Sequence, residues 1–372
     1  MKTVKHMAII GAGVAGLALA ILARKQGIQV TLYEQNKDYS TIGAGVTLWP
    51  NATFVIEQLG LMDECQKYCG RPRFVRQFDP QSTLVNQFDI GPLEDLCGLP
   101  TFTVLRQHLI KILASQLKKH DIAIHFNTII TPERIPLLQQ QFDLVVGCDG
   151  RMYSPTRHQL YQDSASAVYQ GFINIIGISD IDLEPFEQAI HDYRVNGERF
   201  GIVPVANQQC YWAAAWPCEL DRSRPVDSWY EEMQQRFRHW PSKIQQVLNA
   251  SRPNSLKRIF VHDLDPLPYW HRDNLVIIGD AAHASLPTSG QGAGQALEDA
   301  WHLSQRLNEA KPLNVLLTGF YEDRIYKTTM TQQIGRQVAQ QIFQQTTQPT
   351  ETQPSISALQ LSELYMQGLH KP

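Results

Sequence analysis

His6-Met7-Ala8-Ile9-Ile10-Gly11-Ala12-Gly13-Val14-Ala15-Gly16 is the stretch that decides the fold. A short apolar run ends in G-x-G-x-x-G, residues 14–26 have helical spacing, and residues 29–33 return to strand composition, so the pattern predicts a βαβ unit. In such a unit Gly11 makes the tight turn, Gly13 lets backbone approach a pyrophosphate, and Gly16 lets helix and strand pack closely, with the helix N-terminus facing the anion. Glu34 ends the next strand, where a carboxylate accepts both ribose hydroxyls and repels a 2′-phosphate. The hexapeptide alone is weak evidence; set between a strand and a helix and followed by Glu34, it points to the adenosine diphosphate half of FAD or NAD.

The rest of the composition agrees with a packed enzyme. The chain has 372 residues, long enough for two interleaved domains, with 43% hydrophobic and 19% charged residues. Its 33 Lys+Arg against 36 Asp+Glu leave a net charge of -3, and no arginine-rich run is present to track a phosphate backbone, so nucleic acid is not expected as a partner. The six cysteines form no C-x-x-C pair and have no nearby histidine cluster. Reduced thiols and a cytoplasmic location are expected, with no metal; Cys65 and Cys69 could share a helix face, as packing residues. The uncharged run at 7–23 resembles a signal peptide or a membrane span in composition, but it is short for a span and its three glycines suit the nucleotide turn better. No stable membrane insertion is expected.

Farther along, residues 168–216 are rich in β-branched and aromatic residues broken by polar ones, as in a mostly antiparallel sheet. Residues 275–278 read as a buried strand leading into Gly279-Asp280-Ala281-Ala282-His283, then Pro287, the loop 290–294, and a helix over 295–307 that carries Glu298-Asp299-Ala300. A carboxylate after a buried strand can bind a ribityl hydroxyl, and a glycine loop before a helix offers N–H groups to the charge of a reduced flavin ring. His283 reads as support for the turn. A middle segment, Asp149-Gly150 with Ser154 and Arg157, follows a strand over 143–147. A long helical pattern covers 315–343, a Gln/Thr/Pro tract at 344–354 reads as a linker, and 355–367 reads as a last amphipathic helix docked on the body or on another subunit.

With these motifs in place, the sequence resembles the FAD-dependent aromatic hydroxylases, the group of para-hydroxybenzoate and salicylate hydroxylases, from Lys5 to about Arg324. Within that group it is most similar to the bacterial FAD-dependent urate hydroxylases, through Gly43-Ala44, Trp49-Pro50-Asn51 and Leu59-Gly60. The middle motif departs from the group's D-G-x-x-S-x-x-R by one extra residue before Ser154. The resemblance implies an α/β fold: a Rossmann-like FAD-binding domain (1–75, 100–165 and 270–325), an interleaved substrate domain on a mostly antiparallel sheet (76–99 and 166–269), and C-terminal helices (326–372). It implies FAD contacts at Gly11, Gly13, Gly16, Glu34, Thr47, Arg106, Asp280, Gly290, Gln291, Gly292, Ala293 and Gly294. It further implies a substrate pocket of Asn174, Arg199, Tyr211 and Gln291, with Arg199 and Tyr211 as the catalytic pair.

The reaction implied is hydroxylation of a small aromatic or heteroaromatic compound, urate-like by preference, by NADH or NADPH and O2 through a flavin C4a-hydroperoxide. No second G-x-G-x-x-G is present, so NAD(P)H is expected to bind transiently, and the chain to be a monomer or homodimer. A guanidinium suits a pyrophosphate at Arg106, and a guanidinium with a phenol can orient an acidic heteroaromatic ring. Hydroxylases of salicylate, hydroxybenzoate or tetracycline, and a non-catalytic flavin-binding regulator, are the alternatives. A flavin halogenase is disfavoured because W-x-W-x-I-P is absent: Trp212 leads into Ala213-Ala214-Ala215-Trp216-Pro217.

Overall fold

The structure is a computed structural model describing residues 4–39, 43–181, 188–343 and 357–369; the Gln/Thr/Pro tract at 344–354 lies outside the described residues. It is a mixed α/β fold built on two large sheets. In the first, His6–Ile10 pairs in parallel with Gln29–Tyr33 on one side and Leu144–Gly147 on the other. Leu275–Ile277 and Ala123–His125 extend the parallel sheet outward, and His271–Arg272 closes one edge antiparallel. His6–Ile10, Leu144–Gly147 and Leu275–Ile277 are near-continuous buried apolar runs, as parallel strands covered on both faces are. The first helix, Val14–Lys25, shows why so plain a sequence suffices: ten consecutive residues from Val14 to Ala23 are buried, and small side chains let it lie close to the strands.

The second sheet contains Phe74–Phe78, Leu84–Asp89, Val168–Asp180, Ala189–Val195, Glu198–Val205, Gln209–Pro217 and Lys257–Asp263. All its pairings are antiparallel except Ala189–Val195 with Phe74–Phe78. Period-two alternation divides its side chains between two surfaces. One buries Phe200, Trp212 and Trp216 against Phe237, Trp229 and Met233 of the helix Val226–Phe237. Each such side chain contributes about 2–3 kcal/mol on burial. The other surface carries Asn174, Ile176, Ile178, Arg199, Tyr211 and Ala213, and part of it packs on Ala44 and Leu105 beside the first sheet.

A two-stranded ribbon, Gly45–Leu48 with Phe102–Leu105, joins the layers: Thr103 Oγ1 donates to the Pro204 carbonyl at 2.5 Å, and Gly45 lies under the Tyr211 ring. A side chain at Gly45 would place its Cβ 2.1 Å from that ring.

Two local expectations shift. The late helix begins at Gly292 rather than Gln295, because the loop glycines 292 and 294 already turn helically behind Gln291 as N-cap. Cys65 and Cys69 do not share a helix face: the helix Met62–Gln66 ends before Cys69, although both thiols are buried. The last helix spans Ala358–Met366 and docks on the body through buried Tyr365 and Leu369. Among the described residues no helix is long and apolar enough to cross a membrane.

Candidate flavin and substrate site

Four neighbouring parallel strands end in the motif residues. Ile10 runs into Gly11, Tyr33 into Glu34, Gly147 into Cys148-Asp149, and Ile277 into Ile278-Gly279-Asp280. Open α/β sheets place their ligands in the crevice outside such carboxyl ends. The three glycines do different work there. A Cβ at Gly11, whose φ is +107°, would stand 2.3 Å from the Cys148 carbonyl oxygen, and one at Gly16 would stand 2.0 Å from the Gly11 carbonyl oxygen. A Cβ at Gly13 meets nothing within 4 Å. Gly11 and Gly16 therefore serve backbone packing, while Gly13 opens on space at the N-terminus of the first helix, where free N–H groups favour an anion. The late loop sits on the same spot, since a Cβ at Gly279 would lie 3.2 Å from that of Ala15.

Glu34 is buried and oriented by the protein: Oε2 accepts from the Ala12 amide (2.9 Å), and Oε1 from the backbone (2.9 Å) and side chain (2.6 Å) of Asn36. A carboxylate has about four lone-pair sites, so one on Oε2 remains for a ribose hydroxyl.

Arg106 and Arg157 show how two arginines beside one crevice differ. Arg157 is buried and saturated: Nε donates to Ala165 (3.0 Å), Nη1 to Ala281 (3.1 Å) and Gly150 (3.3 Å), Nη2 to Arg151 (2.7 Å) and Met152 (3.3 Å), all carbonyls. It ties the Asp149-Gly150 turn to the late loop. Ser154 caps the next helix by accepting from the Arg157 amide (3.0 Å) and donates to Asp149 (2.5 Å), so the extra residue in this motif is absorbed by the turn with its anchors intact. Burial raises the Asp149 carboxyl above its usual range, against the donors Ser154 and Thr156.

Arg106, by contrast, has a buried Nε with no partner and forms no ion pair among the described residues. Burial lowers its pKa, with the Asp280 carboxylate acting in the opposite direction. Gly43, at φ +102°, leaves room for it: a Cβ there would press to 3.0 Å on the Arg106 Cδ. A half-buried guanidinium that forms no ion pair among the described residues and that Asp280 offsets only in part fits the pyrophosphate of a dinucleotide. Asp280 is partly exposed, 3.7 Å from the Arg151 Nε.

At the other end, Gly292, Ala293 and Gly294 form the first turn of the helix Gly292–Leu307, whose leading N–H groups have no partner within the helix. Behind this turn lies a buried polar network that sequence reasoning did not foresee. Asp299 accepts from the Gly279 amide (2.7 Å), His283 (2.5 Å) and the Arg324 Nε (2.8 Å), which makes His283 a support of the turn. Glu298 accepts from Asn51 (2.6 Å), Arg324 (2.6 Å) and Lys327 (2.8 Å). Burial works to raise both carboxyls, but the cations prevail: Glu298 falls below its usual range and Asp299 falls to about 2.

On the inner surface of the second sheet, strand register puts Arg199 beside Ala215 and Ala215 beside Asn174, while Tyr211 lies farther along between Val203 and Ile178. The Tyr211 hydroxyl is 3.3 Å from the Thr47 Oγ1, so the residue expected at the flavin and the one expected at substrate touch. Burial pushes the Tyr211 phenol up to about 12. Arg199 Nε donates to Asp192 (2.7 Å), which also binds Arg194 (2.6 Å); one buried carboxylate thus orients two guanidinium groups. Asp192 was not singled out in the sequence, because its partner Arg199 lies across a strand turn.

The fold and the crevice define a flavoprotein class, and comparison with known proteins agrees. Residues 5–133 and 139–324 match the FAD binding domain family. The chain belongs to that family and is an FAD-dependent monooxygenase of the aromatic hydroxylase type. It is 25% identical over 327 residues to the FAD-dependent urate hydroxylase of Klebsiella pneumoniae, covering 85% of each chain. It is 27% identical over 335 residues to the 6-hydroxynicotinate 3-monooxygenase of Bordetella bronchiseptica, covering 82% of this chain and 83% of that protein. Among solved structures it is similar to Klebsiella pneumoniae HpxO complexed with FAD and uric acid, with a TM-score of 0.82, 22% identity, and coverage of 91% of this chain and 89% of that one.

Proposed function

We propose that the chain uses NADH or NADPH and O2 to hydroxylate a small heteroaromatic ring, urate-like by preference, with Arg199, Tyr211 and Asn174 in contact with substrate. FAD, when bound, takes up reducing equivalents and activates dioxygen. Glu34, Gly13, Arg106 and Asp280 would hold its adenosine, pyrophosphate and ribityl portions, and the amides of Gly292, Ala293 and Gly294 would face its ring, with Thr47, Gly290 and Gln291 alongside. Gly11 and Gly16 shape the turn.

The observation that carries the reading is the inner wall of the second sheet. Asn174, Arg199 and Tyr211 project from the same surface as Ile176, Ile178 and Ala213, and that surface touches Thr47, where the flavin is expected. An apolar floor suits the faces of a flat ring, and three polar groups suit its edge. Arg199, held by Asp192, orients an anionic substrate; Tyr211 stays protonated and donates to a ring oxygen. The relatives named for urate and 6-hydroxynicotinate support a heteroaromatic substrate. Ile176, an apolar residue on this surface two positions from Asn174, favours a less polar ring as the second reading.

The test is NADH and NADPH oxidation with urate, xanthine, 6-hydroxynicotinate, salicylate and hydroxybenzoates, together with product analysis. An acidic heteroaromatic compound should accelerate oxidation and appear hydroxylated. If no compound of the panel stimulates turnover, the substrate assignment falls.

A further inference from the structure

The helix Ala358–Met366 lies beyond the segment that matches the family, yet its last turn reaches the loop behind which the flavin ring is expected. Ser357 starts it with a capping box, accepting from the Gln360 amide (3.2 Å) while its own amide donates to the Gln360 side chain (3.0 Å). Its other end is held from inside the protein. The buried Lys327 Nζ donates to the Tyr365 carbonyl (2.7 Å) and pairs with Glu298 (2.8 Å). An ammonium at a helix C-terminus meets the negative end of the dipole as well as an unpaired carbonyl.

The Tyr365 side chain closes the circuit. Its ring packs on Trp49 with centroids 5.9 Å apart, and its hydroxyl faces Gln291. Gln291 Oε1 is fixed by Asn51 (2.9 Å), and Asn51 donates in turn to Glu298 (2.6 Å). Backbone and side chain of one residue, Tyr365, are thus joined through Lys327, Glu298, Asn51 and Gln291. Of two buried donors at this point, Trp49 Nε1 has no acceptor within hydrogen-bond geometry among the described residues, and Gln291 Nε2 has only the facing Tyr365 hydroxyl, which falls outside that geometry. Gln291 is only 6% exposed, and a Cβ at Gly290 would stand 3.5 Å from the Trp49 Nε1. Unsatisfied buried donors are costly, and a ligand offering acceptors, such as the carbonyl edge of the flavin ring, would satisfy them.

We propose that the C-terminal helix is a wall of the flavin site and that Tyr365 is a positioning residue, holding Gln291 and Trp49 against the loop that receives the ring. The proposal rests on FAD binding and is independent of which substrate is hydroxylated.

The test uses the full chain reconstituted with FAD and two readouts that need no turnover: FAD affinity from flavin fluorescence, and the visible circular dichroism of the bound flavin. Tyr365→Ala should weaken FAD by about fivefold or more and alter the visible bands. Tyr365→Phe keeps the ring on Trp49 and loses only the hydroxyl, so it should hold affinity within about twofold while still altering the bands. A chain ending at Phe343 should behave like Tyr365→Ala. Met233→Ala, which opens a cavity on the far surface of the second sheet, serves as the control for general destabilisation and should move neither readout. Unchanged affinity and superimposable spectra in Tyr365→Ala would overturn the proposal, as would equal changes in Met233→Ala. Unchanged bands in Tyr365→Phe would overturn the role of the hydroxyl. Should the shortened chain fail to fold, the point variants decide.

Discussion

Arg106→Met should raise the stability of the FAD-free protein and weaken FAD binding at the same time. Methionine keeps most of the stem and removes a guanidinium whose Nε is buried without a partner. Relieving a desolvated charge that forms no ion pair and that Asp280 offsets only in part is worth about 1 kcal/mol in the free protein, which for a chain of this size raises Tm by about 2 °C. With the cofactor bound, the same guanidinium meets a pyrophosphate. A charge-assisted, desolvated contact of that kind contributes about 2–4 kcal/mol, so Kd for FAD should rise by roughly 30- to 1000-fold.

Arg157→Met provides the contrast. Its guanidinium satisfies carbonyls of Ala165, Ala281, Gly150, Arg151 and Met152, so its loss should cost stability by about 2–4 kcal/mol whether or not FAD is present. Differential scanning fluorimetry of the free protein and fluorescence titration with FAD measure both quantities. If Arg106→Met lowers the Tm of the free protein and shifts Kd by less than about threefold, Arg106 is an ordinary structural arginine and the reasoning is wrong.

Three further outcomes follow from the same geometry. Gly13→Ala should leave Tm unchanged, because its Cβ meets nothing in the protein, yet weaken FAD, whereas Gly11→Ala and Gly16→Ala should destabilise the fold through backbone clashes; thermal melts with and without FAD separate the two cases. Asp299 has its folded pKa depressed to about 2 from 3.8, so its contribution to stability is present above about pH 4 and is lost as pH falls toward 2. That contribution is about 2 kcal/mol by linkage, and urea unfolding at pH 5 and pH 3 should show the loss in the wild type and a flatter dependence in Asp299→Asn. Tyr211 is raised to about 12, so it remains a neutral donor throughout the working range, and an alkaline limb in the pH–rate profile below pH 11 should persist in Tyr211→Phe. A limb that vanishes in that variant would assign it to the phenol.

What could be read from the sequence was what lies close together in it. Gly11 to Glu34 forms one local βαβ unit, and Gly279-Asp280 follows the apolar run 275–278, so both carry their meaning in spacing. Asn174, Arg199 and Tyr211 were reached only through the family resemblance, and it is the register between three strands that puts them on one surface. Residues that act by closing long loops left no such trace. Arg324 and Lys327 sit in a long helical pattern as ordinary cations, and only the packing of Leu313–Phe343 against Gly292–Leu307 buries them on Glu298 and Asp299. Asp192 is one of many polar residues in a sheet until the neighbouring strand delivers Arg199. The start of the helix at Gly292 was obscured because glycine disfavours helix interiors, yet at a first turn its cost is small and its bare amides are useful.

The most direct test of the account is a high-resolution crystal structure of the protein reconstituted with FAD. The cofactor should lie extended across the strand ends, with its ribose on the Glu34 carboxylate, its pyrophosphate between Gly13 and the Arg106 guanidinium, and its ring against the amides of Gly292 to Gly294. FAD density elsewhere, or an Arg106 turned away from the phosphates, would contradict it.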